Sequence, residues 1–289
     1  MINSFARQLR ERLAERSAPI APGVFDGVSA KLTAAAGFRV AYMSGAAAAA
    51  AVTGLPDIGL ATQTELVNQV ALLSRCLDIP LVADADTGFG DVTHAYRTVQ
   101  LYERAGAAAI QLEDQEFPKR CGHLANKRVV PAEDFARKIE AAIEARRDPD
   151  TVIIARTDAR ACLGFEEAVR RINLYAEAGA DMVFLEAPQS VEEVLAVPGA
   201  AKAPALFNHV TRGKTPPVTL DQLRVAGYAL VIMPGLNSGS AARAMRTALA
   251  RAARGDLTSG DQDSPQEKFT ALGLDFWQDL RGRYETEAG

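Results

Sequence analysis

A (β/α)₈ barrel of the TIM type is the fold this sequence predicts, and three observations carry the prediction. Eight short apolar runs alternate with longer amphipathic stretches between residue 20 and about residue 255. Each run is continuous rather than alternating, as strands covered on both faces tend to be. Eight strand–helix units in roughly 240 residues is the count and length of such a barrel. A doubly wound open sheet is the second choice, but no GxGxxG turn follows the first run.

The elements follow in order. The opening stretch "MINSFARQLRERLAERSAP" is a charged amphipathic helix without the apolar core of a signal peptide. The strand candidates are 20–26 (IAPGVFD), 40–45 (VAYMSG), 80–86 (PLVADAD), 108–114 (AAIQLED), 151–158 (TVIIARTD), 181–187 (DMVFLEA), 204–210 (PALFNHV) and 229–235 (ALVIMPG). Helical patterns fill the gaps, among them Thr64–Leu77, Ala95–Ala105, Ala132–Ala145 and Glu166–Ala178. "ERAG", "AEAG" and "RVAG" each place a glycine where a helix ends before the next strand. The Ala46–Ala51 run is expected to be a tight backbone turn into a helix.

No Pro/Gly/Ser-rich linker divides the chain, so residues 1–289 are expected to form one barrel domain, with 256–289 as a C-terminal helical extension. "GDLTSGDQDSPQEK" has the composition of an exposed connection. The stretch after it carries Phe269, Leu272, Leu274, Phe276, Trp277 and Leu280. Apolar surface of that extent outside a completed barrel requires a cover, from its own barrel or from a neighbouring subunit.

Hydrophobic content of 48% and charged content of 24% are those of a soluble globular protein. A net charge of -4 offers no basic footprint for nucleic acid, and no apolar run approaches a membrane span. Cys76, Cys121 and Cys162 are odd in number and lack metal-type spacing, so reduced thiols in a cytoplasmic compartment are expected.

In a barrel the C-terminal strand ends hold the site. Polar residues recur there: Asp84 and Asp86, Glu113 and Asp114, Arg156 and Asp158, Glu186, then Asn208 and His209. Asp84, Asp86 and Glu113 form an oxygen-rich cluster, and converging carboxylates repel unless a cation or protons neutralise them. A hard divalent ion, Mg²⁺ or Mn²⁺, resolves this best; the alternative is that each acid caps a helix or pairs with Arg156 or Lys119. Ser44, Gly45 and Ala46 offer a hydroxyl and backbone N–H groups at a helix start, either a carboxylate cradle or an N-cap. Arg156 is a fork for a substrate carboxylate or an ion-pair partner of Glu186.

The segment "FPKRCGHLANK" places Cys121 among Lys119, Arg120 and His123 in a polar, irregular stretch from Gln115 to Val130. Cations beside a thiol favour its thiolate, and a mobile loop closes well over a metal site. Cys76 and Cys162 lack such neighbours and are expected to be structural. His94 is expected to start a surface helix, and His209 is a weaker candidate than His123.

Taken together, "VADADTGFG", "QLEDQ", "PKRCGHLANKRVVPAEDFARKI", "IIARTDA", "EAGADMVFLEAP" and "GKTPPVT" resemble the isocitrate lyase/phosphoenolpyruvate mutase superfamily, and the Cys-Gly-His loop resembles its lyase branches. The resemblance covers nearly the whole chain. It implies a barrel whose eighth helix swaps into a partner, giving a homodimer or homotetramer. It implies Mg²⁺ near Asp86, with Asp84 and Glu113 acting through metal-bound waters and Asp57 nearby. Ser44, Gly45, Ala46 and Arg156 would hold the 2-oxo-acid carboxylate, with Gly122 and Asn208 also against the substrate. Cys121 would be the general acid, supported by Lys119, His123 and Glu186. Tyr42 or a metal-bound hydroxide is the candidate base.

The implied reaction cleaves a 2-hydroxy di- or tricarboxylate, of 2-methylisocitrate or 2,3-dimethylmalate type, to pyruvate or another 2-oxo acid plus a carboxylate. Oxaloacetate hydrolysis or decarboxylation and a phosphonate C–P reaction on the same scaffold are the alternatives. A third substrate carboxylate would need a cation such as Arg212, Lys214 or Arg243, because Gly239 stands where one would be wanted.

Overall fold

The computed structural model describes residues 4–257 and 263–285. Parts of the N-terminal helix and of the C-terminal extension expected from the sequence, residues 1–3, 258–262 and 286–289, lie outside the described residues. The chain runs α1 (Ser4–Ala14), β1 (Ile20–Val24), α2 (Gly27–Ala35), β2 (Ala41–Met43) and α3 (Gly45–Thr53). It continues through α4 (Gln63–Cys76), β3 (Leu81–Asp84), α5 (Val92–Ala105), β4 (Ala109–Glu113) and α6 (Ala132–Ala145). Next come β5 (Val152–Thr157), α7 (Arg160–Leu163), α8 (Phe165–Glu177), β6 (Met182–Leu185) and α9 (Val191–Ala200). Then β7 (Ala205–Asn208), α10 (Leu220–Ala226), β8 (Leu230–Met233), α11 (Leu236–Ala252), α12 (Pro265–Ala271) and α13 (Leu274–Gly282) follow.

The eight strands close into one parallel barrel in sequence order, β8 pairing back onto β1 through Ile20 and Val231. Every expected strand is present, and each is a little shorter than its apolar run. Asp84, Glu113, Arg156 and Asn208 still lie in ladder pairs at or near the strand ends, and Ser44, Asp86 and Glu186 follow just beyond, so the polar residues ring the barrel mouth.

Alternation along the strands separates two layers of core. Tyr42, Val82, Ala109, Ile154, Phe184, Leu206 and Ile232 pack inside the barrel. Their chain neighbours Met43, Ala83, Ile110, Ile153 and Ala155 pack outward under the helices. Side chains of a strand alternate faces with period two, so one register sets both layers. The glycines expected at helix ends, Gly106, Gly179 and Gly227, all have positive φ, a conformation in which any Cβ is strained. The alanine run departs from expectation: it is the body of α3, and the turn is confined to Ser44. Alanine is the best helix former, so six in a row extend the helix.

The last three helices bury no residue. α12 lies beside α2, while Met245, Leu249, Phe269, Phe276 and Trp277 remain exposed. Among the described residues, no helix is long and apolar enough to cross a membrane.

Candidate active site

A cavity of about 300 Å³ opens at the C-terminal ends of the strands. The register explains which residues reach it, because each interior side chain is followed two residues later by a site residue. Tyr42 leads to Ser44, Val82 to Asp84, Gln111 to Glu113, Ile154 to Arg156, Phe184 to Glu186 and Leu206 to Asn208. Of the residues given a catalytic, substrate or metal role by the family resemblance, all except Gly45 and Asp86 line the cavity. Those two lie directly behind its wall. A Cβ on Gly45 would stand 2.7 Å from Asp84 Oδ2 and 2.9 Å from Asp86 Oδ1, so only glycine lets α3 approach both acids.

Ser44 is the N-cap of α3, its Oγ accepting from the Ala47 N–H, and the Gly45 N–H donates to Asp84 Oδ2 at 3.1 Å. Asp84 Oδ1 accepts from the Asp86 N–H and from Gln111 Nε2, both at 3.1 Å. Asp84 is thus held by three donors. Gln111 was not nominated by sequence reasoning, although it is an inward residue of β4; its Oε1 also accepts from the Tyr42 hydroxyl.

Asp86 lies beyond β3, with φ of 48°, rather than closing the strand. Its Oδ1 is 2.8 Å from Lys119 Nζ, yet no donor is aligned on that buried oxygen. Burial pushes the Asp86 carboxyl up to about 6; Lys119 opposes this, while Asp84 and Asp57 add to it. Burial likewise raises Glu113 well above the usual carboxylate range, against the pull of Arg156. Lys119 also binds Asp57. Although burial opposes its charge, the carboxylates of Asp86, Glu113, Asp57 and Asp84 hold the ammonium well above its ordinary pKa.

Among the described residues, no three His, Cys, Asp or Glu side chains converge closely enough to enclose a metal by themselves. A hard divalent ion takes one or two carboxylates directly and keeps its waters, so it does not require such an enclosure. The donor set agrees: buried carboxylates with raised pKa and one oxygen without an aligned donor.

On the opposite wall, Arg156 donates to Asp158 Oδ2 at 2.8 Å and stands 3.3 Å from Glu113 and 4.0 Å from Glu186. Its guanidinium lies over the Phe184 ring. Glu186 is held at about 2: burial raises it, but Arg156 and His123 outweigh that. His123 Nε2 stands 3.0 Å from Glu186 Oε1, and the Lys214 backbone N–H donates to His123 Nδ1. Asn208 Nδ2 donates to Glu186 Oε2 at 3.0 Å.

The loop from Gln115 to Val130 covers the mouth, pinned at its base by a bridge between Gln115 and Val129. The Cys121 N–H donates to the Asp57 carbonyl at 3.2 Å. Burial pushes the Cys121 thiol up, and Asp57 and Glu186 add to this against the pull of the His123 backbone N–H and Arg156. The side chains of Lys119 and His123, its neighbours in sequence, reach carboxylates instead. Tyr42 is fully buried, and burial followed by Asp84 raises its phenol well above 10, so it serves as a donor to Gln111.

Other sequence candidates fall elsewhere. Asp114 faces outward and accepts from Thr157, Tyr175 and Arg171, a bracing network behind β4 and β5. His209 belongs to a neighbouring cavity. His94 is exposed in the first turn of α5. Cys76 packs against the outer core as expected, but Cys162 is exposed on α7 rather than structural. Arg212, Lys214 and Arg243 do not line the site. Val210, Pro234 and Ser238 line it without having been nominated, since no polar motif marked them.

Comparison with known proteins agrees with this geometry. The phosphoenolpyruvate phosphomutase family profile matches residues 9–253. The chain is 47% identical to the 2-methylisocitrate lyase of Aeropyrum pernix over 83% of this chain and 77% of that one. It is 38% identical to the 2,3-dimethylmalate lyase of Eubacterium barkeri over 97% of this chain and 98% of that one. Among solved structures, oxaloacetate acetylhydrolase in complex with 3,3-difluorooxalacetate superposes with a TM-score of 0.94 at 34% identity, covering 100% of this chain and 99% of that one. A phosphonopyruvate hydrolase complex with oxalate and Mg²⁺ superposes with a TM-score of 0.86 at 31% identity, over 98% and 99% of the two chains. The chain belongs to the phosphoenolpyruvate phosphomutase family, as a lyase-type enzyme of the phosphoenolpyruvate mutase/isocitrate lyase superfamily.

Proposed function

We propose that this protein is a divalent-metal-dependent carbon–carbon lyase that cleaves a 2-hydroxy dicarboxylate of the alkylmalate type into a 2-oxo acid, pyruvate for 2,3-dimethylmalate, and a second carboxylate. The observation that carries it is the closed loop, which sets a thiol of raised pKa over an acid-lined cavity. Asp86, Asp84 and Glu113 would hold Mg²⁺ or Mn²⁺, in part through waters, with Asp57 nearby. When bound, the ion lowers the pKa of the substrate hydroxyl and supports negative charge on the oxygen that becomes the 2-oxo group.

The chain's own residues do the rest. Arg156 and the N-terminus of α3 at Ser44 and Ala46 receive the carboxylate beside C2, where a fork of donors and a positive helix end favour an anion. After the hydroxyl proton passes to water, the C2–C3 bond breaks and its electron pair passes into the neighbouring carboxylate, giving an aci-carboxylate dianion. Cys121 transfers its proton to C3, becoming thiolate, and is reprotonated before the next turnover. Burial keeps the thiol protonated for this task. Lys119, and His123 acting with Glu186 and Asn208, hold the surrounding charge in place.

A dicarboxylate is favoured over a tricarboxylate by the supply of cations. Among the described residues that line the cavity, Arg156 is taken by the first carboxylate and Lys119 faces Asp57 and Asp86, which leaves Arg120 at the mouth for a second and no further lysine or arginine for a third. The Cys-Gly-His loop speaks against phosphonate C–P chemistry. The likeness to oxaloacetate acetylhydrolase keeps oxaloacetate as the competing substrate. A panel of 2,3-dimethylmalate, 2-methylisocitrate, isocitrate, 2-methylmalate and oxaloacetate with Mg²⁺, run on the wild type and on Cys121→Ala, decides between them. Cysteine-dependent release of a 2-oxo acid, greatest with 2,3-dimethylmalate, is the expected result; turnover of oxaloacetate alone, unaffected by loss of the thiol, would overturn the lyase reading.

We also propose that α11, α12 and α13 pack on a second copy of the chain. Their exposed apolar side chains support a helix exchange that gives a dimer or tetramer. The three free cysteines support a reducing, cytoplasmic setting.

A further inference from the structure

Two lysines of the covering loop are buried, Lys119 and Lys127, but only Lys119 lines the cavity. Lys127 lies at the loop's exit, with a side chain only 1% exposed. Its ammonium donates to Asp158 Oδ1 at 2.6 Å and to the carbonyl of Gly122, the residue next to Cys121. Asp158, fully buried, accepts from Arg156 Nε at 2.8 Å and from Nη2 at 3.1 Å. Arg156 in turn backs directly onto Gly122, since a Cβ there would stand 2.5 Å from its Nη2 and equally close to Glu186 Oε1. A closed ring results: Gly122, Lys127, Asp158, Arg156, and back to Gly122.

A buried ion pair is by itself weak evidence for anything, because desolvation offsets its attraction. Here, however, Asp158 is already paired bidentately with Arg156, so neutralising Asp158 does not require a second cation. What Lys127 adds is a bond from the barrel wall to the loop backbone beside the thiol. The loop's base is pinned by the Gln115–Val129 bridge; the Lys127 bond ties its reactive turn to the residue that receives substrate.

We propose that Lys127 is a positioning residue, which through Asp158 locks the covering loop against Arg156 and so sets Cys121 over the cavity. The inference rests on the reading of Cys121 as proton donor, and it requires no contact between Lys127 and substrate.

The test compares peptide-resolved alkylation of the three cysteines by a small haloacetamide in the full-length wild type and in Lys127→Met, beside steady-state kinetics with the substrate identified by the panel. Alkylation of Cys121 is expected to rise on the order of tenfold or more, as for a locally opened segment, while Cys76 and Cys162 keep their rates. The accompanying kcat is expected to fall about 100-fold with KM little changed, the cost of a misplaced reacting group. Lys127→Arg, which keeps the cation, is expected to retain more of kcat than Lys127→Met. An unchanged Cys121 rate, or an equal rise at all three cysteines, would overturn the proposal. So would selective exposure of Cys121 with kcat unaltered. Full turnover by Cys121→Ala would instead sink the proton-donor reading, and the alkylation comparison, needing no turnover, would still decide whether Lys127 holds the loop. If Lys127→Met does not fold, Lys127→Gln, which keeps a single donor group, serves the same comparison.

Discussion

Lys119, which lines the cavity, meets Asp86 at 2.8 Å just behind its wall, yet Asp86 Oδ1 is left without an aligned donor. One ammonium is shared between Asp86 and Asp57, so the acids on this side outnumber their local cation. The imbalance shows in Asp86, whose carboxyl is pushed from 3.8 up to about 6, first by burial. In this window the native state holds a proton that the unfolded chain releases. The contribution of Asp86 to the stability of the metal-free protein therefore falls as pH rises from about 3.8 through about 6. A bound divalent ion offsets that penalty, but protons compete with it below about 6. Mg²⁺ is expected to raise Tm clearly at pH 7.5 and little at pH 5. Thermal unfolding with Mg²⁺ and with chelator at both pH values checks this; equal shifts would remove Asp86 from the metal site.

The thiol makes a second prediction, with the opposite sign from the one suggested by its sequence neighbours. Burial raises Cys121 above its ordinary 9.0, so as proton donor it is in its working form throughout the neutral range. The profile of kcat is expected to stay level up to about pH 9 and to decline above it, where the thiol ionises. Cys121→Ser is expected to lower kcat by about 10²- to 10⁴-fold with Tm nearly unchanged, since the cysteine lines a cavity rather than the core. Half-maximal alkylation of Cys121 near pH 7 would restore the cation-activated thiolate and defeat this account.

The contrast between those two side chains marks how far the sequence alone could reach. Asp84, Glu113, Arg156, Glu186 and Asn208 were legible because a strand has a period of two and ends at a definite place; an apolar run that closes in a polar residue of the right parity aims it into the barrel. Loops carry no such period. Lys119, Arg120 and His123 are adjacent to Cys121 in the chain, so they were counted as its electrostatic neighbours. In the fold, Lys119 reaches Asp57 and Asp86, and His123 reaches Glu186. Those partners are distant in sequence, and local proximity cannot reveal them. Gln111 was passed over for a different reason: an amide inside an apolar strand has no charge to draw notice, although its parity matched.

Glycine at position 122 tests whether the loop must close to within hydrogen-bonding distance of the wall. A Cβ there would lie 2.5 Å from both Arg156 Nη2 and Glu186 Oε1, and both side chains are almost fully buried and tied to other partners. Neither can retreat, so Gly122→Ala is expected to lift the loop by a fraction of an ångström to an ångström. The expected loss is about 100-fold in kcat, with global stability lowered by about 1–3 kcal/mol at most, the cost of overpacking a buried position. Kinetics and denaturant unfolding on the same preparation check both halves. Wild-type kcat in Gly122→Ala would mean that the closed loop is not the catalytic form.

The exposed tail supplies the last prediction. Phe276 is 58% exposed and Trp277 62%, and the two rings pack edge to face at 5.2 Å. α11 likewise leaves Met245 and Leu249 exposed, while Val28 and Leu32 on α2 are also half open. Apolar surface on both the barrel wall and the final helices is what an exchanged helix would cover, each subunit's tail packing on the other's wall. At about 25 cal/mol per Å², burying two large aromatic side chains contributes several kcal/mol per subunit to such an interface. The double variant Phe276→Glu, Trp277→Glu is therefore expected to shift the protein from dimer or tetramer to monomer at micromolar concentration. Light scattering on the eluting peak measures the mass directly. The barrel's own core does not involve these residues, so the variant should keep its circular dichroism spectrum. A wild type already monomeric, or a double variant of unchanged mass, would return the tail to its own subunit.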